Sequence, residues 1–143
     1  MRRIDTTRFG SIEIEEEKII HFPQGILGFP EQKDYILFPH KPDSPFYWLQ
    51  SVTNPELAFV LTNPFLFFED YLSRLTPAEE DLLKAENGGE VNVFVLVTIP
   101  QGKAEEMTAN LLGPLVIEVE TRVGRQVVLP NSGYSHRHPL LGG

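Results

Sequence analysis

The chain has 143 residues, no cysteine, and 20 acidic against 12 basic residues, a formal net charge of −8. Disulfides, thiolate nucleophiles and cysteine-held metal sites are therefore excluded, and so acidic a chain is poorly suited to neutralising nucleic-acid phosphates. It has neither an apolar leader nor a run of 18 apolar residues, so a single soluble, cytoplasmic domain over residues 1–143 is expected. The charge is uneven: residues 66–90 hold seven acids against Arg74 and Lys84, while 121–143 hold Arg122, Arg125 and Arg137 and no acid. Such an acidic face can be a plain solvated surface or can steer the protein toward a basic partner.

Phe9, Ile12 and Ile14 alternate with polar residues around a turn or bulge at Gly10-Ser11, which predicts a half-exposed strand. Lys18 to Phe22 reads as the next strand, with Glu16-Glu17 in the connection and Pro23 ending the ladder. The stretch HFPQGILGFP that follows places two prolines and two glycines among apolar residues. Gly25-Ile26-Leu27-Gly28 has the form of a phosphate-clamping loop, but its central residues are apolar and no Lys or Arg lies between 19 and 32. A corner is the better reading, with Phe22 and Phe29 in the core and Ile26 and Leu27 either in the core or on a contact surface.

Tyr35 to Phe38 predicts a strand bounded by Pro39, and Lys41 to Pro45 a loop. Phe46 to Val52 and Leu57 to Leu61 predict a hairpin about Asn54-Pro55-Glu56. Phe65 to Leu75 is ambiguous between strand and helix, and its Phe65, Leu66, Phe67 and Phe68 are either buried on both faces or partly kept for a partner. Thr76-Pro77-Ala78-Glu79 is a helix start with a capping box, and Asn87-Gly88-Gly89 ends that helix after about three turns. Val91 to Ile99 predicts a central strand and Leu115 to Val119 another. Val123 to Gln126 is expected to reverse the chain into Val127 to Leu129, and from Pro130 the chain reads as extended or mobile. The sum is an all-β fold, mainly antiparallel and barrel-like, with one or two short helices.

For catalysis the sequence offers little. His136 and His138 lie two apart without an acid cluster, His21 sits at a strand end where a packed, hydrogen-bonded imidazole is expected, and no serine elbow occurs. Glu15-Glu16-Glu17 and Glu79-Glu80-Asp81 lie in hydrophilic surroundings that predict exposure. No catalytic, metal or cofactor site is expected, and the chain reads as a binding protein.

The order of its motifs carries a resemblance. F-G-x-I-x-I (Phe9 to Ile14), I-I-x-F-P-x-G-I-x-G-F (Ile19 to Phe29), W-L-Q-S (Trp48 to Ser51), I-P (Ile99-Pro100), T-A-N-L-x-x-P (Thr108 to Pro114) and R-x-x-Q-x-x-L (Arg122, Arg125 and Gln126 to Leu129) occur in register from about residue 5 to 140. In this the sequence resembles the bacterial flagellar assembly factor family FliW, with one departure: Glu118 stands where that family often has Asn. The resemblance implies a cytoplasmic protein, a monomer when free, with two partners. It would bind flagellin and, once flagellin is exported, capture CsrA, the dimeric RNA-binding regulator that represses flagellin mRNA, and relieve that repression. Two routes are open: an acidic surface that occupies the basic RNA site directly, or binding elsewhere that disfavours the RNA-competent state, the way the family is usually described. For CsrA, charge and expected exposure single out Glu13, Glu15, Glu16, Glu17, Glu69 and Asp70; for flagellin, Ile26, Leu27, Phe65 and Phe67 are the apolar candidates. The alternative is a structural or oligomeric β-barrel interaction protein without a role in translation control.

Overall fold

The computed structural model describes residues 1–73 and 75–141. Eleven short strands and one α-helix make up the chain among these residues. A hairpin of β1 (Arg2–Thr6) and β2 (Gly10–Ile14) stands apart from the main sheet. The main sheet contains β3 (Ile20–His21), β4 (Asp34–Pro39), β5 (Phe46–Ser51), β6 (Ala58–Thr62), β7 (Val91–Thr98), β9 (Leu115–Glu118) and β10 (Gly124–Gln126). Its order is β10-β9-β7-β6-β5-β4-β3, with β8 (Thr108–Ala109) on the upper part of β7 and β11 (His138–Pro139) on β8. Every pairing within these named strands is antiparallel.

The sheet curls because one face of nearly every strand is apolar. Tyr35, Leu49, Leu61, Phe94, Leu115 and Ile117 come from strands spread across it, yet they share one buried cluster with Ile20, Phe22 and Ile26. Each fully buried large apolar side chain removes enough surface from water to stabilise the fold by about 1.5–3 kcal/mol. Curling brings the two edges together at one point, where the His21 amide donates to the Arg122 carbonyl at 2.9 Å. The backbone pairing there is a lone parallel bridge between His21 and Val123, with Arg122 Nη2 donating to the Lys18 carbonyl at 3.0 Å beside it, so the barrel is not closed. The Phe22 ring packs so tightly on Gly124 that a Cβ there would lie 2.6 Å from it.

Three covers seal the outer face. The β1–β2 hairpin packs Ile4 and Ile14 on Ile36 and Val52. The segment around Phe67, Phe68 and Tyr71, together with Leu140, packs on Val95 and Val97. Leu75 and Leu83, on either side of helix α1 (Pro77–Leu82), pack with Val127 and Leu129 over Val116.

Several expectations need correction. The helix is six residues long, not three turns. After Leu82 the amides of Leu83 and Lys84 bond only three residues back, and the Arg125 guanidinium takes the Leu82 and Lys84 carbonyls. A tertiary cation thus ends the helix before Gly88 can. Glu79 is 3% exposed, not solvated: its carboxylate accepts from the Thr76 amide at 3.1 Å and from the Asn131 amide at 3.2 Å. The chain reverses at Glu120 to Arg122, not at Val123 to Gln126, and Arg122 takes a positive φ of 60° there. Lys18 lies in a 3-10 turn (Glu16–Lys18), which leaves only Ile20–His21 as strand. His21 is hydrogen-bonded as expected, to Asp34 at 2.7 Å, but half-exposed. Beyond Pro130 the chain is pinned by β11 and by buried Leu140.

Candidate functional site

A cleft of about 1000 Å³ opens where the two edges of the sheet meet. Its walls are the corner from Pro23 to Pro30, the end of α1 at Leu82 with Glu86 in the turn beyond it, and β10 running on to Val128. The corner is a chain of local necessities. Gly25 takes φ +68°, and a Cβ on it would lie 2.5 Å from the Phe29 carbonyl oxygen. The Phe29 amide donates to the Ile26 carbonyl at 2.7 Å, closing a turn whose third residue, Gly28, has φ +92°. That is the position at which a type II turn needs glycine. Ile26 is thereby directed inward, where it joins the first core cluster, and Leu27 is left at the tip, 76% exposed.

Polar groups hold the cleft's shape. Gln126 accepts from the Leu27 amide at 2.8 Å through Oε1 and donates to the Gly113 carbonyl at 3.0 Å through Nε2. On the opposite wall Glu118 is buried and its Oε2 lies 3.3 Å from Nη1 of Arg125, while Thr121 donates to its Oε1 at 2.9 Å. A buried carboxylate needs such partners. Leu82 and Val128 remain about half exposed on the walls, so with Leu27 they give the cleft an apolar lining. An exposed apolar lining inside a concavity is the usual character of a binding site.

Residues from two separated motifs line the cleft, the Ile19 to Phe29 corner and Arg125-Gln126, and Gln126 ties them to the Gly113 carbonyl of the Thr108 to Pro114 stretch. The family model described as FliW protein matches residues 3–140. The chain belongs to the FliW family. The flagellar assembly factor FliW of Magnetococcus marinus is 44% identical over 96% of this chain and 84% of the relative. That of Bacillus subtilis is 40% identical over 97% and 96%. A crystal structure of the flagellar assembly factor FliW superposes with a TM-score of 0.84 at 39% identity, covering 98% of this chain and 97% of that one.

The residues expected to contact partners are dispersed. Ile26 offers no surface, being core, and Phe67 is half-buried against Phe46 and Phe68. Phe65 is 39% exposed beside Tyr71, next to exposed Leu66. Phe29, expected in the core, lies partly exposed with its edge on Phe59 at 5.5 Å. Glu13, Glu15, Glu16 and Glu17 all lie exposed on the β1–β2 hairpin and the turn after it. Three of them are paired: Glu13 with Arg3 at 3.0 Å, Glu16 with Arg2 at 3.7 Å, and Glu15 with Lys18 at 3.7 Å. Arg2 and Arg3 reach them because β1 pairs with β2 in the register Arg3↔Glu13, a strand that alternation alone did not disclose. Glu69 and Asp70 are exposed on a different cover, over Val95 and Val97. Sequence reasoning missed Leu82, Gln126 and Val128; only their neighbours across the cleft mark them out. Among the described residues no helix is long and apolar enough to cross a membrane.

Proposed function

We propose that this chain is a cytoplasmic, non-enzymatic binding protein that holds flagellin and, when free of it, binds CsrA and relieves its repression of flagellin mRNA. The observation that carries the reading is the apolar cleft lined by two family motifs and tied through Gln126 to a third, in a chain whose relatives are named flagellar assembly factors. Flagellin would engage the cleft through Leu27, with Phe65 and Leu66 as a second exposed apolar contact. CsrA would meet the acidic hairpin carrying Glu13, Glu15, Glu16 and Glu17, and Glu69 and Asp70 would extend the field that draws a basic surface in. Because three of these four acids are answered by Arg2, Arg3 and Lys18, the hairpin and the turn after it are a poor mimic of a polyphosphate backbone. That favours an allosteric antagonist, bound beside the RNA site and coupled to it reciprocally.

Calorimetric titration of the purified chain, as a monomer, with flagellin and separately with CsrA is the direct test. Saturable binding of both is expected, and binding of neither would remove the reading. Titrating RNA into the complex with CsrA separates the two routes. Allostery predicts a ternary complex and a plateau in the weakening of RNA binding, whereas weakening without limit would mean competition.

A further inference from the structure

We propose that the cleft receives its occupant as an added β-strand on the outer edge of β10, and that this occupant is an extended peptide segment with apolar residues and a basic one. The proposal rests on the reading of the chain as a flagellin- and CsrA-binding protein and assigns the conformation and chemistry of the segment that enters. The edge is defined by hydrogen-bond parity. The Glu118 amide donates to Val123 O, the Val127 amide to Pro114 O and the Leu129 amide to Leu112 O, each at 2.9 Å. Odd-numbered residues from 123 to 129 therefore spend their backbone groups inside the sheet, and the even ones turn theirs outward. Arg122 already shows this, because its carbonyl accepts from His21 across the seam. Beyond His21 the opposing edge is lost: Phe22 dives into the core and Pro23 starts the corner. The amides and carbonyls of Gln126 and Val128 then face the cleft, and among the described residues no backbone group pairs with them. An open edge of this kind is a template for another strand, and sheets normally protect one.

The walls determine which side chains fit. Arg125 and Val127 project toward α1, Arg125 reaching the Leu82 carbonyl and Val127 packing in the cluster that contains Leu83. Gln126 projects the other way, toward Leu27. A strand laid along this edge alternates its side chains between the Leu82–Glu86 wall and the Leu27 tip, so apolar residues fit both sides. Arg125 and Glu118 neutralise each other, which leaves Glu86 as the lining's unpaired charge among the described residues. Its complement is a Lys or Arg on the α1-facing side of the segment.

The test uses the full chain and overlapping 12-residue peptides spanning flagellin, the partner assigned to the cleft, with CsrA peptides alongside, read by fluorescence anisotropy. At least one flagellin peptide is expected to bind, and binding by CsrA peptides alone would overturn the assignment of the occupant. Val128→Asp should weaken it about tenfold and Glu86→Lys about threefold at low salt, in variants whose melting curves match the parent. N-methylation along the bound peptide's backbone should abolish binding at every second residue, and the Gln126 and Val128 amides should become protected from exchange. Peptide binding that ignores Val128→Asp, or a methylation profile without a two-residue period, overturns strand addition. If whole flagellin or CsrA binds and no peptide does, strand addition also falls while the binding function stands. If neither whole protein binds, both fall.

Discussion

Replacing Gly25 with alanine isolates what the corner costs to build. Two penalties act there. An L residue at φ +68° loses roughly 1–2 kcal/mol relative to glycine. The new methyl would also sit 2.5 Å from the Phe29 oxygen and 2.6 Å from Pro30 Cα, both backbone atoms that cannot rotate aside. The loop is held by the Gly25 amide on Phe22 O at 2.9 Å and the Phe29 amide on Ile26 O, so relief means breaking one of these bonds or shifting buried Ile26. Overpacking of that kind costs about 1–3 kcal/mol, for a total of about 2–5 kcal/mol. Gly28 is the control. It has φ +92° with nothing within 4 Å of its would-be Cβ, so Gly28→Ala should carry the conformational penalty alone, about 1–2 kcal/mol. Urea unfolding followed by tryptophan fluorescence measures both through the midpoint at constant slope. At about 3–4 °C per kcal/mol for a chain of this size, the melting temperature should fall by about 6–20 °C for Gly25→Ala and about 3–8 °C for Gly28→Ala. Equal losses at the two positions would refute the collision and with it the packing assigned to the corner.

Reversing Glu15, Glu16 and Glu17 to Lys should lower the association rate with CsrA several-fold at low salt and much less at high salt; stopped-flow rates that do not change would take the hairpin out of the interface. Thr76→Ala removes the hydroxyl that accepts from the Glu79 amide at 3.2 Å and should cost about 1 kcal/mol in thermal unfolding. Burial pushes the Tyr35 hydroxyl up to about 12 from its ordinary value of 10.0. The folded state holds that proton while the unfolded state releases it, so Tyr35 favours folding fully below pH 10 and loses that contribution as pH rises toward 12. Burial raises Tyr71 as well, with Tyr134 adding to it. Stability should therefore fall steeply between pH 10 and 12, and Tyr35→Phe should flatten the fall as monitored by circular dichroism.

Local chemistry is what a sequence displays, and here it settled much. The pairing of β5 with β6 about Asn54-Pro55-Glu56, the central place of Val91–Thr98, and the capping box at Thr76 were all legible, because alternation, turn residues and caps act over a few positions. The motifs from Phe9 to Leu129 also marked the family. What escaped was everything decided at long range. Helix α1 looks three turns long until Arg125, some forty residues on, takes the carbonyls at its end. Glu79 reads as a surface acid until Asn131 closes over it. Ile26 and Leu27 are equivalent as letters. They part only because a turn with Gly28 at its third residue sends one into a core assembled from six strands and the other to the tip. The cleft belongs wholly to this second category: the corner, α1 and β10 are far apart in sequence, and curling of the sheet around its apolar face is what sets them side by side. The sequence by itself therefore determined an acidic, cysteine-free β protein of the FliW family. Tertiary structure alone decided which of its apolar residues stay exposed, because burial depends on contacts that no local pattern encodes.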